Sequence, residues 1–91
     1  MRTMMIKNGS GEVAVTYFQP TGKYVKLGNG SEYVFRTIRN VCLSWVKETD
    51  VDSILNIRHQ CCPGSSPKPV FRLSSQQEVN LWTGVGDFHP Q

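Results

Sequence analysis

The chain has 91 residues, of which 38% are apolar and 19% charged, and a net charge of +3 at pH 7. These values exclude a multidomain protein and a disordered polar tract. The mild positive balance permits contact with nucleic acid or an anionic surface without demanding it, and no stretch is long and apolar enough to cross a bilayer as a helix.

The opening MRTMMIKNGSGE carries one arginine and an apolar run too short for a signal peptide. The expected compartment is therefore a cytosol, where the three cysteines are thiols or metal ligands and not structural disulfides. In that setting the NGS triplets at Asn8 and Asn29 read as turns. Residues 12–18 (EVAVTYF) alternate and are rich in β-branched and aromatic side chains, which predicts a strand. After the turn QPTG, the runs KYVKL and SEYVFRTI flank Gly28-Asn29-Gly30, the strongest hairpin signal in the chain. Tyr33, Phe35 and Thr37 share one face of the second arm, and Glu32, Val34, Arg36 and Ile38 the other. Neither set is wholly polar, which predicts cover on both sides of the hairpin.

Residues 41–46 (VCLSWV) read as a further strand, with Val41, Leu43 and Trp45 opposite Cys42, Ser44 and Val46. The period then changes. Val51, Ile54, Leu55 and Arg58 fall at helical spacing, which predicts a short helix over about 50–57. Thr49 with Asp52 resembles a capping box, and acids at the start with Arg58 and His59 at the end suit the helix dipole. CCPGSSPKP is punctuated by proline and glycine and should be a surface loop. VFRLS predicts a strand. SSQQEVNLW then starts a second helix with Ser75 and Glu78 as a capping box, Val79 and Trp82 inward, and Gly84 and Gly86 as its end.

The resulting fold class is α+β: an antiparallel, hairpin-rich sheet in the N-terminal half, with two short helices in β–α units packed on it. Residues 1–91 form one domain, with 1–10 and 84–91 as flexible arms. Helices of about two turns are not stable alone and must dock on the sheet. Trp45, Trp82, Leu43, Ile54, Leu55 and Phe71 are the expected core.

These elements admit four chemistries. Cys42, His59, Cys61 and Cys62 supply the ligand types of a zinc site, but the C-C pair lacks the C-x2-C spacing that lets two thiolates reach one ion. The preferred reading is a pair of packing thiols, with no metal and no other cofactor. The same cysteines follow a helix C-terminus, the wrong end of the dipole for an activated nucleophile. No phosphate-loop, hydrolase or dinucleotide motif occurs, so no enzyme and no catalytic residue is expected. Lys23, Tyr24, Lys26, Arg36 and Arg39 place cations and a ring on the hairpin, with Tyr33 and Phe35 interleaved, which is one way to grip single-stranded nucleic acid. Between Thr21 and Lys47 there are five basic residues and one acid, Glu32. The competing reading is a solvated sheet face. Finally, a thin core and apolar strands favour assembly with other chains.

The runs YVFRTIRNVCLSWVKETDVDSIL, CCPG and VFRLSSQQEVNLW, over about residues 33–82, resemble small proteins encoded by tailed bacteriophages near their structural genes. That resemblance implies a non-enzymatic protein acting through protein–protein contacts, a virion component of capsid, neck or decoration type. Its partners would be copies of itself or other viral structural proteins, in the virion or the host cytoplasm. The alternatives are an accessory protein that binds nucleic acid or modulates the host through the basic hairpin, and a zinc-stabilised binding module.

Overall fold

The computed structural model describes residues 4–60 and 62–84. In chain order it contains β1 (Val13–Tyr17), β2 (Lys23–Lys26), β3 (Glu32–Ile38), β4 (Val41–Val46), a 3-10 turn (Glu48–Asp50), α1 (Val51–Leu55), β5 (Arg58–His59), β6 (Lys68–Pro69), β7 (Phe71–Leu73) and α2 (Gln76–Thr83). Five strands form one antiparallel sheet in the order β2-β3-β4-β1-β7. The expected α+β class is what the chain adopts.

Two turns set the order of the first half. In the loop Leu27–Ser31, Gly30 takes φ 92° and donates to the Leu27 carbonyl, while the Asn29 side chain accepts from the Ser31 amide at 3.0 Å. Between β3 and β4, Arg39 (φ 49°) and Asn40 (φ 69°) are both left-handed, as a two-residue primed turn requires. The chain then skips a position. β1 lies between β4 and β7, with Val13 opposite Val46 and Tyr17 opposite both Cys42 and Phe71.

The described part of the expected N-terminal arm is tied to this sheet. Lys7 bridges Val13, and the Ala14 amide donates to the Ile6 carbonyl at 2.9 Å. Asn8 closes the turn between them by accepting from the Ser10 and Glu12 amides. Of the expected C-terminal arm only Gly84 is described. It caps α2 in the left-handed region at φ 84°; the rest, and Gly86 with it, lies outside the described residues.

Strand alternation sends side chains into two unequal cores. On one face, Val13, Val15, Val25, Tyr33, Phe35, Cys42 and Val46 meet Val51 and Ile54 of α1, with Val70 and Phe71. On the other, Ala14, Val41 and Leu43 meet only Val79 of α2, edged by Ile6, Trp45, Leu81 and Trp82. The two β–α units thus share one sheet but place their helices on opposite faces. Leu43, Ile54 and Phe71 are buried as expected, whereas Trp45, Trp82 and Leu55 are half-buried borders of the cores. Phe35 is the largest fully buried side chain.

Two expectations need correction. The helix predicted over 50–57 is a 3-10 turn followed by five residues of α-helix, and no side-chain hydrogen bond caps it. Arg58 and His59, expected at its end, instead pair with Pro69 and Lys68 in a two-stranded ribbon, so part of the expected loop is β structure. Arg58 still reaches the helix end, its guanidinium donating to the Leu55 carbonyl at 3.0 Å. By contrast, the Ser75–Glu78 capping box forms in full. Arg72 reinforces it with two bonds to the Glu78 carboxylate, at 2.7 and 2.5 Å. That hydrogen bonding holds the Glu78 carboxyl below its usual range.

Candidate interaction surface

The sheet is unevenly covered on the α2 side. α2 lies on β4 and the end of β3, where the Trp82 indole donates to the Arg36 carbonyl at 2.9 Å. Beyond it, the same face of β2 and β3 is open. Tyr24 and Val34 are directly opposed there and are 55% and 57% exposed. Lys26 opposes Glu32 on the same face, and Arg36 and Ile38 continue it along β3. Hydrogen bonding to Glu32 raises the Tyr24 hydroxyl above the ordinary phenol range. The expected double cover of the hairpin therefore holds on one side only.

The residues singled out for nucleic acid do not all share this face. Tyr24, Lys26 and Arg36 do. Lys23 lies on the other side, opposite Phe35, with its ammonium 5.5 Å from the centre of the Tyr17 ring. Arg39 occupies the β3–β4 turn and donates to the Leu81 carbonyl at 3.0 Å. Tyr33 and Phe35, expected to interleave with the cations, are buried in the α1-side core. Tyr24 is the one ring of that group on the open face.

The described zinc candidates lie on different elements. Cys42 is buried in β4, and its thiol donates to the Thr21 carbonyl at 2.9 Å. His59 belongs to the β5–β6 ribbon, Cys62 is exposed in the loop that follows, and Cys61 lies outside the described residues. Among the described residues, no three His, Cys, Asp or Glu side chains are placed to hold a metal ion.

Sequence reasoning missed the role of Asp50. Its side chain is buried and bonded to the β2–β3 hairpin. It accepts from the Tyr33 hydroxyl at 2.6 Å and from the Asn29 side chain at 2.9 Å. The Tyr33 oxygen in turn accepts from the Lys47 amide at 3.3 Å. Hydrogen bonds from Tyr33, then Asn29, hold the Asp50 carboxyl below its ordinary range; burial and Asp50 together push the Tyr33 hydroxyl up. This network locks the hairpin that carries the open face to the start of α1.

A second feature is a cleft of about 270 Å³ between the end of β1 and the ribbon. Phe18, Pro69 and Val70 give it an apolar wall, and His59, Ser66 and Lys68 stand at its rim.

A small antiparallel sheet with one helix on each face, and with part of one face uncovered, is an α+β domain. No family model, curated protein or solved structure matches the chain.

Proposed function

We propose that the protein acts without catalysis, through protein–protein contacts made by the open face of β2 and β3. The observation that supports this is the pair Tyr24 and Val34. Two apolar side chains in mid-strand are more than half exposed, beside Lys26 and Arg36 and along a free sheet edge. A strand position that faces solvent ordinarily carries a polar residue, so an apolar pair bordered by cations suits a contact that dries on assembly. The resemblance to small tailed-phage proteins supplies the setting: a virion component that meets copies of itself or other structural subunits.

Light scattering coupled to size-exclusion chromatography over a wide concentration range tests the self-assembling form. The parent should form a dimer or larger species as concentration rises. Val34→Glu should shift it to monomer while leaving the melting temperature within a few degrees, since the side chain is exposed. A parent that stays monomeric throughout overturns the self-assembling form, and a variant that assembles like the parent removes the open face from the assembly contact.

The grouping of Tyr24, Lys26 and Arg36 supports a second reading, contact with single-stranded nucleic acid. It predicts salt-sensitive oligonucleotide binding that is lost when Lys26 and Arg36 are both changed to Glu. Glu32 on the same face and the burial of Tyr33 and Phe35 favour the protein-contact reading over this one.

A further inference from the structure

We propose that the cleft beside the β5–β6 ribbon binds a small amphipathic organic anion: an aromatic or short aliphatic body with one carboxylate or phosphate. The site is separate from the open sheet face and does not depend on the function proposed for that face.

The walls decide the body of the ligand. Phe18 follows β1, half exposed, its amide bonded to the Val70 carbonyl at 2.9 Å and its ring edge-on to Tyr17 at 4.9 Å. With Pro69 and Val70 it forms a fixed apolar surface, unusual beside a loop of serines and prolines. The volume of about 270 Å³ is close to the lower bound of small-molecule pockets. It equals the liquid share of roughly nine waters at ~30 Å³ each, enough for one ring and a head group.

The rim decides the charge. His59 and Lys68 are direct cross-strand partners, so the ribbon sets both side chains at one position. Neither side chain has a hydrogen bond or ion pair among the described residues, and both line the cleft. No aspartate or glutamate occurs in the sequence between Asp52 and Glu78, so this stretch supplies no carboxylate to Lys68. An exposed cation with no partner among the described residues, beside an apolar wall, favours a ligand that brings its own negative charge and an apolar body. The Ser66 hydroxyl at the same rim can donate to an anionic oxygen.

Amide NMR titrations of the full chain with phenylacetate and phenyl phosphate test the proposal, with benzyl alcohol and inorganic phosphate as half-ligands. The two complete probes should move the amide signals of Phe18, His59, Lys68 and Val70 saturably. The half-ligands should bind several-fold more weakly, and the relative affinity of the two complete probes assigns the head group. Lys68→Gln, on an exposed ribbon, should keep the parent's spectral dispersion and weaken binding roughly three- to fivefold, as expected for one exposed charge pair. Phe18→Ser should weaken it through the body of the probe, with inorganic phosphate unaffected. Three results overturn the proposal: cleft signals that do not move, benzyl alcohol binding as tightly as phenylacetate, or parental affinity in Lys68→Gln.

Discussion

Asp50 shows how one side chain can be read for the wrong role. At the start of a helix, an acid is the expected partner of the helix dipole. Here the same carboxylate is the acceptor that ties the Asn29 turn and the Tyr33 ring to the segment before α1. Tyr33→Phe removes the donor at 2.6 Å and leaves Asp50 with Asn29. It should cost about 1 to 2 kcal/mol in urea unfolding. Asp50→Asn should lower stability at neutral pH. The folded carboxyl titrates below its ordinary value, so its contribution is present above that value and is lost as pH falls through the depressed one. The gap between the parent and Asp50→Asn should therefore narrow on acidification below about pH 4. A gap unchanged down to acid pH would mean that the charge of Asp50 plays no part.

At the level of elements, the strands and α2 were legible because their signals are local. Residues 41–46 are a short, nearly continuous apolar run buried on both faces, and the Ser75–Glu78 capping box states its own boundary. Ser75→Ala should cost about 1 kcal/mol by loss of the cap, and Gly84→Ala about 1 to 2 kcal/mol, because φ 84° places a Cβ in the left-handed region. Both are read by thermal unfolding. What escaped depends on distant partners. The β3–β4 turn uses Arg39 at positive φ, and arginine carries no signal for that conformation. Residues 58–59 take strand form because Lys68 and Pro69 return beside them, a pairing that no local pattern announces. α1 ends at Leu55, short of the expected 57, and Arg58 and His59 beyond it pair in the ribbon. As for the candidate surface, alternation along KYVK already separates Lys23 from Tyr24 and Lys26. What the sequence could not give was which face α2 would leave open.

For the whole molecule, the decisive fact is that the sheet has one well-covered face and one partly covered face. Phe35 holds the first together, and Phe35→Ala should cost about 3 to 5 kcal/mol, enough to unfold much of a marginal domain. Substitutions on the open face should leave stability nearly unchanged while altering association. On the reading of the cysteines as packing thiols, a chelator should leave the melting temperature unchanged; a marked drop would restore the zinc reading. The inequality of the two cores also bears on how the protein opens. α2 is held by Val79 and a border of half-buried side chains, whereas α1 is locked by Val51 and Ile54, both fully buried. Release of α2 therefore uncovers the smaller of the two cores. In native-state hydrogen exchange, α2 amides should exchange well before those of β1 and β4, with little dependence on denaturant. In that transient state Leu43 and Trp45 would be uncovered on the same side of the sheet as Tyr24 and Val34, with Arg36 opposite Leu43.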